Sequence, residues 1–167
     1  MSVNKVRLPF DSSCYTHTKS GKVLLKLTPI TSKSNSIIES KTGGTVSIST
    51  TEVVYIPLPD SATRYHVKDK GDKNFESLSI PLDRVRDSHV TTSFIGPNGW
   101  VAVIFPSRIG GLEPFNEAWK LELTFSDGGA YEFEEAFVKC REARELGQNH
   151  IDDLPVYDDS LPPSYQS

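Results

Sequence analysis

Along much of the chain, apolar residues recur at every second position, which is the spacing of half-buried strands. In "KVLLKLTPI", Val23, Leu25 and Leu27 alternate with Leu24 and Lys26 up to Pro29, predicting a strand. The following "TSKSNSIIESKT" is polar and reads as a loop. "GGTVSISTTEVVYIPLP" carries two β-rich runs, Val46 to Ile48 and Val53 to Ile56, joined by Ser, Thr and Glu: a hairpin. A polar stretch, "DSATRYHVKDKGDKN", then leads into "FESLSIPLDRV", where Leu78, Ile80 and Leu82 share a face. Pro81 cannot donate to a ladder, so this strand is expected at an edge or with a bulge. "HVTTSFIGPNGWVAVIF" places the turn signal "GPNG" between two β-forming runs and predicts a second hairpin.

The period changes once. Trp119, Leu121, Leu123 and Phe125 alternate with Lys120, Glu122 and Thr124, and "SDGG" supplies residues tolerant of positive φ for a tight turn. From there Phe133, Ala136, Phe137, Cys140 and Ala143 follow helical spacing and define one apolar stripe. Glu132, Glu134 and Glu135 occupy the first turn, where they complement the helix dipole and are expected to face water. Arg141 and Arg144 lie near the end, and Gly147 is the expected C-terminal cap.

About seven strands followed by one helix, without βαβ alternation, predict an α+β, mainly β domain: a bent antiparallel sheet or partly open barrel capped by the helix. A length of 167 residues suits one such domain with a short appendage. The expected organisation is an N-terminal arm over 1–19, the domain over 20–147 and an acidic tail over 148–167, too poor in core-forming residues to fold. Hydrophobic residues make up 37% and charged residues 24%, with a formal net charge of −4. Such a balance gives no global drive toward nucleic acid or anionic membranes. Two cysteines, Cys14 and Cys140, and the absence of a long apolar run fit a cytosolic or nuclear protein.

Searching for chemistry yields little. No P-loop, dinucleotide fingerprint or nucleophile elbow occurs, and His17, His66, His89 and His150 lack metal-ligand spacing, so no catalytic residue, metal or cofactor is expected. Lys68, Lys70 and Lys73 in "VKDKGDKN", and Arg84 and Arg86 in "DRVR", are candidate phosphate-binding fragments of a lipid headgroup site, with a solvated loop the favoured reading. Asp69, Asp72, Asp83 and Asp87, interleaved with them, nearly cancel their charge.

The tail "DDLPVYDDSLPPSYQS" is poor structure and a good ligand. Pro162 and Pro163 fix φ and favour polyproline II, which lowers the ordering cost of docking into an aromatic-lined groove. Three residues per turn put Pro162 and Tyr165 on one face. This is the PPxY pattern recognised by WW domains, and Leu154, Pro155 and Tyr157 form the related LPxY variant. The two tyrosines are eight residues apart, or roughly 25 Å as polyproline II, enough to suggest that tandem small domains engage both.

Together these stretches resemble the WW-domain-binding protein 2 family, which joins a GRAM domain of pleckstrin-homology-like fold to PPxY motifs. "GGTVSISTTEVVYIP" is similar to the family's hairpin, and "GGA-x-EF", Gly128 to Phe133, to its strand, turn and helix start. The resemblance implies a non-enzymatic adaptor whose partners are WW-domain proteins, HECT-type ubiquitin ligases among them, and a link to transcriptional coactivation with chromatin-associated factors. It carries a binding role by position to Pro162, Pro163 and Tyr165, and in variant form to Leu154, Pro155 and Tyr157. The long Pro/Gly/Tyr-rich extension of animal members is missing. GRAM domains are as a class linked to phosphoinositides, so a peripheral lipid-binding module is the alternative expectation.

Overall fold

The computed structural model describes residues 2–4, 17–19, 21–31, 35–59 and 63–152, with side chains up to residue 147. The strand order begins with β1 (Ser2–Val3), β2 (His17–Lys19), β3 (Val23–Pro29), β4 (Ile37–Ser40), β5 (Gly44–Ile48) and β6 (Glu52–Pro57). β7 (Thr63–Val67), β8 (Gly71–Lys73) and β9 (Leu78–Pro81) follow; after a 3-10 turn at Leu82–Arg84 come β10 (Val85–Thr91), β11 (Gly99–Ile104), β12 (Trp119–Phe125) and helix α1 (Ala130–Asp152). All strand pairs are antiparallel, in two sheets ordered β1-β9-β6-β5-β2 and β10-β11-β12-β3-β4-β7-β8.

The alternation read from the sequence is what builds the core. Across the β12–β3 pair, Leu121 faces Leu27 and Leu123 faces Leu25, and all four are buried together with Ile38, Ile48, Ile80 and Trp100 in one cluster that draws on both sheets. Helix α1 packs against β10 and β11 of one sheet and β2 and β5 of the other. Its apolar stripe supplies the contact: Phe133 meets Trp100 edge-on with ring centroids 5.0 Å apart, and Phe137 lies 5.2 Å from the same indole. Each aromatic brings a large apolar area out of water, so this three-ring contact is the main attachment of the helix.

Both expected hairpins are present, as β5–β6 and β10–β11. Leu78, Ile80 and Leu82 are buried as predicted, and Pro81 ends β9, which is flanked on one side by β6 and on the other only by the two-residue β1.

Several expectations need correction. Twelve strands, not about seven, occur among the described residues. The stretches at 31–42 and 60–74, read as polar loops, contain β4, β7 and β8; these strands are short, and buried serines replace part of their apolar signal, Ser36 and Ser40 being 3% and 1% exposed. Within 1–19, read as an arm, Ser2–Val3 and His17–Lys19 pair into the five-stranded sheet, as runs too short to show a period. The helix continues through Gly147 to Asp152 instead of stopping there, and Ala143 of the predicted stripe is exposed. Glu134 is half-buried rather than solvated: it accepts hydrogen bonds from Trp100 Nε1 and from Ser88 Oγ, the latter at 3.4 Å.

Candidate functional site

The three lysines singled out in the sequence lie on or beside the tight β7–β8 turn. Asp69 adopts φ 66° and Gly71 φ 79° there, so the turn uses the left-handed conformation that Asp tolerates and glycine adopts without strain. Lys68 is fixed through its backbone N–H, which donates to Ser36 Oγ at 3.0 Å. Lys70 and Lys73 converge on one carboxylate, Glu113, at 2.7 and 3.0 Å.

Glu113 is held in place from two sides. The Tyr65 hydroxyl donates to the Gly111 carbonyl at 2.7 Å and accepts from the Glu113 backbone N–H at 3.3 Å, while Trp119 Nε1 donates to the Pro114 carbonyl at 2.8 Å. Burial, the larger influence, raises the Tyr65 pKa, so its hydroxyl stays a donor at neutral pH. The hydrogen bond from Lys70, then that from Lys73, holds the Glu113 carboxyl below the usual carboxylate range.

Lys68, Asp69, Lys70, Glu113 and Pro114 border an open groove of about 530 Å³, also lined by Thr31, Asn116 and Glu117. Its charged rim is Lys68, Lys70, Asp69, Glu113 and Glu117, two positive groups against three negative. An anionic headgroup entering here would have to take Lys70 from Glu113. The exposed members make each pair individually weak, yet the balance of charge does not favour an anion.

A second cleft, of about 260 Å³, joins Arg86 of the "DRVR" stretch to Arg141 and Arg144 of α1. Arg144 pairs with Asp83 at 3.7 Å and Arg141 with Glu145 at 3.4 Å. Sequence reasoning treated the two arginine groups separately. The spacing of Arg141 and Arg144 put them on one helical face, but nothing in the sequence aligned that face with Arg86.

The histidines remain apart. His66 Nδ1 lies 2.7 Å from Asp72 Oδ1 across the β7–β8 pair, His89 Nδ1 lies 3.0 Å from the Asp87 carbonyl, and His17 packs near Phe133. Among the described residues no three His, Cys, Asp or Glu side chains are grouped to hold a metal ion, and no helix is long and apolar enough to cross a membrane. Leu154, Pro155, Tyr157, Pro162, Pro163 and Tyr165 lie outside the described residues, beyond the helix end at Asp152.

Fold and geometry thus define a mainly β domain of two antiparallel sheets with one C-terminal helix. Searches with family models and among curated proteins return no match. Among solved structures, the chain is similar to one from "The 8S snRNP Assembly Intermediate", with a TM-score of 0.53 and 15% identity over 97% of this chain and 95% of that one. At that identity the likeness concerns the fold.

Proposed function

We propose that this chain is an adaptor without catalytic activity, whose folded domain presents a WW-binding tail, in the manner of the WW-domain-binding protein 2 family and its pleckstrin-homology-like GRAM domain. The observation that carries the reading is "LPPSY" together with "LPVY", following in sequence a helix whose last described side chains, Glu145 and Leu146, are exposed. Helix α1 is anchored by Phe133, Phe137 and Cys140. Partners are WW-domain proteins such as HECT-type ubiquitin ligases or transcriptional regulators, met in cytoplasm or nucleus. Pro162, Pro163 and Tyr165 form the principal site; Leu154, Pro155 and Tyr157 add a second, weaker contact.

The test is retention of the full chain on an immobilised WW domain. Tyr165→Ala should remove most of the binding and Tyr157→Ala a smaller part. Undiminished retention of the double variant rejects the reading. Phosphorylation of Tyr165 should also weaken retention, because it adds charge to a ring that must enter an apolar slot. The alternative, headgroup binding at Lys68, Lys70 and Lys73, is less well supported, since Glu113 already occupies two of the three lysines.

A further inference from the structure

The β10–β11 hairpin ends in a tip that the adaptor reading leaves unexplained. Phe94 and Ile95 stand there side by side with relative exposures of 107% and 94%, so neither side chain is sheltered by the domain. Single exposed apolar residues are ordinary on protein surfaces, but two adjacent bulky ones at a protruding turn are a concentrated apolar feature. The tip is built to project: Gly96 at φ 144° and Pro97 shape the turn, and the Ser93 backbone N–H donates to Asn98 Oδ1 at 3.4 Å across it. Below the tip the hairpin is tied into the sheet through the Thr91–Gly99 and Gly99–Thr124 pairs.

Two further features bear on what such a tip could enter. From Val90 to Phe105 there is no Asp, Glu, Lys, Arg or His, so burying the tip in a low-dielectric medium would desolvate no charge. The base of the tip is bordered by lysines. The Phe125 N–H donates to the Asn98 carbonyl at 3.0 Å and the next residue, Ser126, to the Lys22 carbonyl at 3.1 Å, which places Lys22 at this end of the sheet. Lys19 runs alongside Gly129 in the turn that follows, its Nζ 3.6 Å from where a Cβ on that glycine would stand. Asp127 forms a loose, exposed 3.8 Å pair with Lys22, and Lys19 has no ion pair among the described residues.

We propose that the Phe94–Ile95 hairpin tip is a membrane-inserting wedge that enters the interface of a bilayer containing anionic lipid, with Lys19 and Lys22 meeting the headgroups. The tip is convex, so a folded protein would need a pocket to receive it, whereas a bilayer interface accepts a small apolar projection with no matching shape. Thr91, Thr92, Ser93 and Asn98 surround it with uncharged polar groups suited to the headgroup layer. The lysines add attraction that salt screens. This site lies apart from the Lys68–Lys70–Lys73 turn and does not depend on the WW reading; it would hold an adaptor at a membrane surface.

The experiment uses the full chain with Phe94→Trp, a change at an exposed position. Trp100 and Trp119 are buried and give a constant background. Vesicles of phosphatidylcholine with one part in five of phosphatidylserine should shift the new emission to shorter wavelength; phosphatidylcholine alone, or high salt, should shift it less. In co-sedimentation with the same vesicles, the Phe94→Ser/Ile95→Ser double variant should bind about tenfold more weakly or worse, while Lys68→Glu/Lys70→Glu/Lys73→Glu binds as the unaltered chain does. An unmoved emission at saturating lipid overturns the proposal and leaves the tip to a protein partner. So does vesicle binding that the lysine-turn variant abolishes and the hairpin variant keeps.

Discussion

Replacing Tyr55 with Phe should change how stability depends on alkaline pH. Tyr55 is 2% exposed in β6, and its hydroxyl donates to the Val23 carbonyl at 2.7 Å, joining the five-stranded sheet to β3 of the other. Burial, partly offset by a hydrogen bond with Ser40, pushes its pKa from 10.0 up to about 12. A raised pKa means that the folded state keeps the proton after the unfolded state has lost it. The associated stability is therefore complete below pH 10 and is lost as pH rises from there through about 12. Two units correspond to about 2.7 kcal/mol in full, of which about 1.4 kcal/mol is lost by pH ~11. Against this, Tyr55→Phe forgoes one buried hydrogen bond, about 1–2 kcal/mol at neutral pH. Urea unfolding followed by tryptophan fluorescence at a series of pH values should show the unaltered protein ahead at pH 7, with the two converging near pH ~11. All other titrating groups are common to both proteins, so the difference isolates Tyr55. Parallel pH curves would show that the hydroxyl is not buried as described.

Other substitutions probe packing and the lysine turn. Gly44→Ala would place a Cβ 2.5 Å from the Tyr55 hydroxyl and 2.6 Å from the Ile56 carbonyl, so a loss of roughly 1–3 kcal/mol in urea unfolding is expected, from overpacking. Phe133→Ala should cost about 3–5 kcal/mol, since this ring is wholly buried against Trp100 and Phe125; amide exchange should quicken first in helix α1. Glu113 has a lowered pKa, so its contribution is present above the ordinary carboxylate value of the unfolded chain and lost as pH falls through the folded one. Glu113→Gln should flatten the acid limb of the stability curve by less than about 1 kcal/mol, because the paired lysines are solvent-exposed.

Strands with sustained alternation were legible in the sequence because each residue reports its own face: β3, β12 and both hairpins follow from local pattern alone. β4, β7 and β8 were not, because Ile38 is the only large apolar residue that β4 buries and charged neighbours surround Tyr65 and Val67. The helix start was readable from the change of period. Its end was not, since Gly147 is a stop signal only if it takes positive φ, and here it remains helical.

The site residues divide in the same way. Lys68, Lys70 and Lys73 could be located by composition, but the pairing of Lys70 and Lys73 with Glu113, 40 residues beyond Lys73, is a consequence of tertiary structure. Glu134 looked like a dipole-complementing surface carboxylate until the sheet brought Trp100 to it. A helical stripe indicates which face is buried, not which polar groups at its margin acquire partners. The tail motifs are the opposite case: short linear ligands are encoded wholly in local sequence, so folding adds little to their legibility.

The most direct test of the adaptor reading is calorimetric titration of a single purified WW domain, and then a tandem pair, into the full chain. The single domain should bind weakly, Tyr165→Ala should weaken it by about tenfold or more, equivalent to about 1.4 kcal/mol, and the tandem pair should bind more tightly only while Tyr157 and Tyr165 are both present. Heat and affinity unchanged in the Tyr157→Ala/Tyr165→Ala variant would contradict a tail-borne WW site.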